Sequence, residues 1–199
     1  MVHVFQSDGQ VASQIVPTAP SMVKSIEWSP DGEILAIVQA SSPIVVLWEM
    51  ATQETCSIDT NFKDLTFLKW SPDGERLAIG TAKGALLFYD KTTLQRYEAA
   101  GRHKKRIVCG AWNEEGSLAF ASDDRQITIC SGRNGETIDQ VKVKHRPQNI
   151  SFGGQRIVSC TLDGRSLLLY TLREKENALE LAFQKRYGNV SSWWPMSCA

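Results

Sequence analysis

Trp28-Ser29-Pro30-Asp31-Gly32 recurs as Trp70-Ser71-Pro72-Asp73-Gly74, and this repeated pentapeptide decides the fold. A weaker third copy, Trp112-Asn113-Glu114-Glu115-Gly116, keeps the spacing, because successive tryptophans lie 42 residues apart. A fourth copy, Phe152-Gly153-Gly154, begins about 40 residues further on. A period of roughly 40–45 residues is the length of one four-stranded propeller blade. The internal repeat therefore predicts a β-propeller.

Each period also contains two short apolar runs after its turn. The first runs occupy residues 34–38, 77–80, 118–121 and 157–160, and the second occupy 45–48, 86–89, 127–130 and 167–170. Short runs of β-branched and aromatic residues, separated by Gly, Asp, Asn and Ser, are typical of strands joined by tight turns. No helix-length stretch shows a convincing 3.6-residue periodicity, so the sequence predicts an all-β fold with four strands in each blade.

The repeat predicts one domain with four complete four-stranded blades and a partial blade at each end. The complete blades are expected at residues 23–60, 65–100, 105–142 and 146–184. Residues 1–20 should end an earlier blade, with strands at 2–5 and 11–15, and residues 188–199 should begin a further one. The polar stretch 172–181 is expected to be an insertion or an outer strand. A seven-bladed ring needs about 290 residues, which favours a fragment, and a five-bladed ring that shares both termini is the alternative.

Composition excludes several classes of function. Lys plus Arg and Asp plus Glu each number 22, so the net charge is zero. That balance argues against a dedicated nucleic-acid binder, which needs a cationic excess. The N-terminal sequence lacks the basic and apolar regions of a signal peptide, and no apolar run approaches about 18 residues. We expect a cytoplasmic location without direct membrane insertion.

The chemistry-bearing residues do not form a catalytic pattern. His3, His103 and His145 lack the spacing of a zinc site, and neither a nucleophile elbow nor a phosphate-binding glycine loop occurs. Asp123 and Asp124 are adjacent carboxylates, but their place between two strands favours turn residues. We therefore expect no enzyme activity, no cofactor and no bound metal.

The third repeat resembles the WD-repeat family. In that family a His, a Ser, an Asp and a Trp form a hydrogen-bonded network that ties the loop between blades to the sheet. His103, Ser122 and Asp124 match the first three by position, while Cys130 replaces the Trp. The resemblance implies a structural role for these three residues, in a network without its indole donor.

A closer resemblance extends over roughly residues 65–190. The segments at residues 81–89, 101–113, 135–138 and 179–190 resemble the N-terminal propeller of the WD repeat-containing protein 19 family, whose members are subunits of intraflagellar transport complex A. The resemblance implies a non-catalytic scaffold in retrograde ciliary transport and cilium assembly. Its partners would be other protein subunits, at the cilium or flagellum and its base. The alternative is a generic WD-repeat adaptor for ubiquitin ligation, RNA processing or signalling.

One cluster of charge stands out, formed by Arg102, Lys104, Lys105 and Arg106. An ordinary exposed loop between blades is the simplest interpretation. A nuclear-import or phosphate-binding patch is less favoured, because no aromatic residues are interleaved for stacking. A docking loop for another protein subunit is an intermediate hypothesis.

Overall fold

Eighteen β-strands account for the regular structure of the described residues. The computed structural model describes residues 1–17, 21–101, 103–154, 156–161, 166–175 and 178–188, with side chains for 1–17, 21–101, 103–154 and 167–170. The strands, in chain order, are β1 Val2–Phe5, β2 Val11–Ile15, β3 Val23–Trp28, β4 Ile34–Gln39, β5 Ile44–Glu49, β6 Thr55–Asp59, β7 Leu65–Trp70, β8 Arg76–Thr81, β9 Leu86–Asp90, β10 Arg96–Glu98, β11 Ile107–Trp112, β12 Ser117–Ser122, β13 Gln126–Ser131, β14 Thr137–Lys142, β15 Pro147–Gly153, β16 Arg156–Thr161, β17 Ser166–Lys175 and β18 Ala178–Gly188.

Consecutive strands pair antiparallel into four four-stranded sheets, which confirms the predicted all-β propeller class. We call these sheets blade 1 (β3–β6), blade 2 (β7–β10), blade 3 (β11–β14) and blade 4 (β15–β18). The first strands of neighbouring blades, β3, β7, β11 and β15, contact one another in that order. The blades therefore stand side by side, with their first strands forming a continuous inner row.

Two further features concern the ends of the chain. β1 and β2 form a separate hairpin, whose Ile15 packs with Ile37 and Trp48 of blade 1. Of the polar stretch 172–181, residues 172–175 belong to β17 and residues 178–181 to β18, which pair as far as Lys175 and Ala178, so the described part of the stretch lengthens the two outer strands of blade 4. The blade start expected at 188–199 lies outside the described residues, except for Gly188 at the end of β18. No helix in the described parts of the chain is long and apolar enough to cross a bilayer.

Strands in the middle of a blade bury both faces. Leu87 and Tyr89 of β9 pack in a cluster with blade 1 residues such as Leu47. Phe88, between them in sequence, points the other way and packs with Phe120 of blade 3. Successive side chains alternate across a strand, so blade 2 packs against blade 1 with one face and against blade 3 with the other. This explains why these strands are continuous apolar runs instead of alternating apolar and polar residues.

The repeated pentapeptide forms the turn between the first two strands of a blade. In blade 1 the carboxylate of Asp31 accepts a hydrogen bond from the side chain of Ser29 and a second from the backbone N of Glu33 at 3.0 Å. The Ser29 hydroxyl also accepts from the backbone N of Ile34 at 2.9 Å. Gly32 has φ of +74°, in the left-handed region that glycine adopts without strain. Blade 2 repeats the arrangement through Ser71 and Asp73.

The tryptophans that precede these turns have three different environments. Trp112 donates its indole N–H to the backbone carbonyl of Lys69 at 3.1 Å, which links blade 3 to blade 2. Trp70 is 4% exposed, and its indole nitrogen has no hydrogen-bond partner among the described atoms. Trp28 is 39% exposed. Positions that are equivalent in sequence therefore differ in what the neighbouring blade offers them.

Candidate functional site

A buried histidine lies at the junction of blades 2 and 3. His103 belongs to the loop between β10 and β11, and its side chain is fully buried. Its Nδ1 lies 3.1 Å from both carboxylate oxygens of Asp124, in the turn between β12 and β13. Its Nε2 lies 2.9 Å from the hydroxyl of Thr128 on β13. Because a carboxylate only accepts, Nδ1 donates to Asp124, and Nε2 forms its hydrogen bond with the Thr128 hydroxyl.

The hydrogen-bonded chain continues to the outer strand of blade 3. The side-chain amide of Gln140, on β14, donates to the Thr128 hydroxyl at 2.8 Å. The network therefore has an N–H donor where the sequence comparison predicted that an indole would be missing. Sequence reasoning did not identify Thr128 or Gln140. One feature of the sequence could have indicated Thr128, because it is the hydroxyl-bearing residue in the apolar run Ile127-Thr128-Ile129. A polar group that is buried in a strand requires a hydrogen-bond partner.

Ser122 lies at the same corner, with different partners. Its hydroxyl donates to the backbone carbonyl of Lys105 at 2.9 Å and accepts from the backbone N of Asp124 at 3.2 Å. The structure thus brings His103, Ser122 and Asp124 together, but the hydroxyl next to the histidine belongs to Thr128. Ser122 fastens the loop backbone to the turn, and Thr128 orients the imidazole.

Cys130 occupies the place where the family has its tryptophan. Its side chain is fully buried between blades 2 and 3, and its Sγ lies 3.7 Å from the carbonyl oxygen of Leu118. Burial raises the pKa of the Cys130 thiol to about 12. The residue is a small apolar filler at the junction, with no access for a reactive partner.

Thiol labelling should separate Cys130 from Cys56, which is exposed on β6. We expect iodoacetamide to modify Cys56 in the folded chain and to modify Cys130 only after denaturation, because alkylation requires an accessible thiolate. Peptide mapping by mass spectrometry gives the two extents of modification. Comparable labelling of both residues in native buffer would contradict the packing of the junction.

Asp124 holds the loop through three donors. Besides His103, it accepts from the backbone N of Lys104 at 3.0 Å and from that of Gln126 at 3.1 Å. Burial alone would raise the pKa of Asp124, but the hydrogen bonds from Lys104 and His103 outweigh it and lower the pKa below the ordinary value. The hydrogen bond from Ser29 likewise lowers the pKa of Asp31.

These shifts predict the acid sensitivity of the fold. A carboxyl whose pKa is lower in the folded state stabilises the fold above its unfolded pKa of about 3.9. That contribution disappears as the pH falls through the folded pKa. We expect the urea midpoint to fall between pH 5 and pH 3, and to fall less in the Asp124→Asn variant. A midpoint that is constant over this interval would refute the role of the carboxylates.

The basic cluster lies in the loop that carries His103. Lys104, Lys105 and Arg106 are exposed, and Arg106 Nε lies 3.4 Å from the carboxylate of Asp123. Arg102 is outside the described residues. The loop backbone is fixed at the other side by Gly84, whose carbonyl accepts from the backbone N of His103 at 3.0 Å. Exposed cations are thus presented on a loop fixed by two blades.

The geometry makes the histidine site structural. Both ring nitrogens of His103 are engaged and the imidazole packs edge-on against Phe120, with ring centroids 5.0 Å apart. Such a histidine is available neither as a general base nor as a metal ligand. Within the described residues, no three His, Cys, Asp or Glu side chains lie together as a metal site would require.

Comparisons with known proteins agree with this architecture. The chain is 35% identical over 207 residues to WD repeat-containing protein 19 of Mus musculus and 34% identical over 201 residues to that of Homo sapiens, alignments that cover 98% and 96% of the chain. It is 26% identical to WD repeat-containing protein dyf-2 of Caenorhabditis elegans over 96% of the chain. The chain spans about 15% of the length of these relatives.

A solved structure and a family model also match this chain. The crystal structure of the computationally designed Ika4 protein superimposes with a TM-score of 0.69 at 16% identity, covering 79% of this chain and 95% of that one. At this identity the match shows the fold alone. The family model described as the WDR19 first beta-propeller matches residues 1–195. The chain therefore belongs to the WDR19 first beta-propeller family, a family of WD-repeat propellers that are generally non-catalytic.

Proposed function

We propose that this propeller is a non-catalytic protein-binding scaffold in a subunit of intraflagellar transport complex A, acting in retrograde ciliary transport and cilium assembly. The observation that carries the proposal is the 35% identity to WD repeat-containing protein 19 over 98% of the chain. This sequence identity extends over the loops as well as the strands. It therefore supports a shared role better than a shared fold does, because a fold by itself does not determine function.

The architecture suits docking of other subunits. Hydrogen bonds between blades hold the loop that carries Lys104 and Lys105 at both of its sides. A loop fixed in this way loses little conformational entropy when a partner binds, so it presents a surface prepared for association. The proposal places the protein in the cytoplasm and at the cilium or flagellum and its base.

Affinity purification from ciliated cells tests the proposal. The tagged chain is purified, and the recovered proteins are identified by mass spectrometry beside an equally tagged, unrelated WD-repeat propeller. We expect the other complex A subunits to be enriched with this chain relative to the control. Equal recovery of those subunits with both propellers would overturn the proposal.

A further inference from the structure

The topology of the blades divides their connections between two ends. Because successive strands are antiparallel, the turns after the first and third strands of a blade lie at one end. The turns after the second strand and the loops that lead to the next blade lie at the other end. We call the second set, residues 16–17, 21–22, 40–43, 60–64, 82–85, 99–101, 103–106, 123–125 and 143–146, the basic rim. The first set, residues 29–33, 50–54, 71–75, 91–95, 113–116 and 132–136, is called the acidic rim.

The exposed charges of the basic rim are almost all positive. Six exposed cations lie in the loops that join blades, and two lie in the turns after second strands. The former are Lys63, Lys104, Lys105, Arg106, Lys144 and Arg146, and the latter are Lys83 and Arg125. Among the described residues of this rim, Asp64 is the one exposed acid. Asp123 and Asp124 are partly buried, and they pair with Arg106 and His103 respectively.

The acidic rim has the opposite charge. Six exposed carboxylates lie in the turns after first strands, and two lie in the turns after third strands. The former are Asp31, Glu33, Asp73, Glu75, Glu114 and Glu115, and the latter are Glu54 and Glu136. Arg133 is the one exposed cation that the described residues of this rim contain. Lys91, which is partly buried, lies 3.9 Å from Asp31.

A net charge of zero therefore conceals two oppositely charged ends. A six-residue strand spans about 20 Å, whereas charges in physiological salt are screened over about 8 Å. The two rims consequently act on their surroundings as separate electrostatic surfaces. In blades 1 to 3, exposed charges at the strand ends leave this pattern unchanged, because Lys24 and Lys142 are balanced by Asp59 and Glu98 at one end, and Glu49 by Arg96 at the other.

We propose that the basic rim is a docking surface for an acidic segment of a partner protein, and that the acidic rim repels the same segment and so fixes the orientation of the propeller. The inference deepens the proposed scaffold function, on which it rests. Val16 and Met22, in the loop that leads to blade 1, are exposed large hydrophobic side chains at this end, and the other described residues of the basic rim contain none. None of these exposed side chains is aromatic, so the described rim lacks the stacking platform typical of single-stranded nucleic-acid sites, and the loops that carry the cations lack the apolar wedge that inserts into membranes. Charge complementarity to carboxylates is what it offers.

The two ends of β11 provide a matched test, because Lys104-Lys105 precede this strand and Glu114-Glu115 follow it. The probe is a fluorescein-labelled twelve-residue peptide of alternating Glu and Ser, and the measurement is fluorescence anisotropy with the full chain at low and at physiological salt. The variants are K104Q/K105Q, the charge-retaining K104R/K105R, and E114Q/E115Q, each checked for folding by circular dichroism.

We expect K104Q/K105Q to raise the Kd for the peptide by about tenfold at low salt. K104R/K105R should bind like the unmodified chain, and E114Q/E115Q should bind equally or more tightly. The proposal is overturned if both Gln variants change the Kd alike, or if the unmodified chain does not bind the peptide. Salt-sensitive self-association in sedimentation equilibrium, abolished by either Gln variant, would assign the rim to a second copy of the chain and overturn it too. A negative result with the peptide would not change the recovery of complex A subunits in the affinity purification. The two experiments therefore distinguish failure of this inference from failure of the proposed function.

Discussion

Replacing Asp124 by alanine is expected to lower the free energy of unfolding by about 3 kcal/mol. The substitution removes the acceptor of three donors, namely His103 Nδ1 and the backbone N–H groups of Lys104 and Gln126. The imidazole is fully buried, so loss of the carboxylate leaves its Nδ1–H inside the junction without a protein acceptor. Urea denaturation of the full chain, followed by tryptophan fluorescence, measures the loss.

The neighbouring carboxylate supplies the control. Asp123 pairs with Arg106, whose side chain is 55% exposed, and a solvent-exposed ion pair contributes at most about 1 kcal/mol. Asp123→Ala should therefore cost no more than that. Equal losses in the two variants would show that the histidine network does not hold blades 2 and 3 together.

The second large loss of stability is expected at Gly84, with Gly32 as the comparison. Gly84 has φ of +84°, and a Cβ on it would lie 2.2 Å from the carbonyl oxygen of His103 and 2.8 Å from that of Lys105. Both atoms are backbone, so the clash is not relieved by rotation of a side chain. We expect Gly84→Ala to cost at least about 3 kcal/mol, from backbone strain and overpacking combined.

Gly32 separates the two causes of that loss. It has a similar φ of +74°, and no atom lies within 4 Å of the position its Cβ would take. Gly32→Ala should therefore show the strain alone, about 1 kcal/mol. Hydrogen exchange of the β11 amides should accelerate in the Gly84 variant and not in the Gly32 variant. Similar stabilities for the two variants would argue against close contact between the blades at Gly84.

The period and the turn chemistry were enough to predict the blade architecture. The turn residues act within a few positions of one another, as Asp31 does with the backbone of Glu33, so a local motif predicts a local structure. All three turns follow a tryptophan, and this shared residue does not predict how each indole is placed. Trp112 donates to the carbonyl of Lys69, whereas Trp28 is 39% exposed. That difference depends on the surface of another blade, which sequence spacing does not describe.

Only part of the candidate site could be predicted, because the rest depends on contacts between strands that sequence spacing does not describe. The resemblance to the WD-repeat family implied roles for His103 and Asp124, whereas Thr128 and Gln140 join the network through the pairing of β13 with β14. The strand register places Thr128 directly opposite Gln140, and a polar pair across two strands is visible only once that register is known. In this chain the amide of Gln140 on the outer strand donates to the network, which in the WD-repeat family has an indole donor.

Charge is the property that sequence totals describe least well here. Equal numbers of acidic and basic residues argued against a polyanionic partner, and that argument concerns the chain as a whole. Antiparallel connectivity places the charges at different ends of a blade, because residues that flank one strand, such as Lys105 and Glu114, lie at opposite ends of it. The resulting surface favours carboxylate-bearing protein at one end and disfavours it at the other.

Zero-length cross-linking tests the central claim, that this propeller is a docking scaffold, most directly. The complex is purified through the tagged full-length protein and treated with a carbodiimide, which joins amines to carboxylates in direct contact. The account predicts cross-links from Lys104, Lys105 or Lys144 to Asp or Glu residues of another subunit. Cross-links confined to the propeller itself, in a complex whose other subunits are cross-linked to one another, would contradict it.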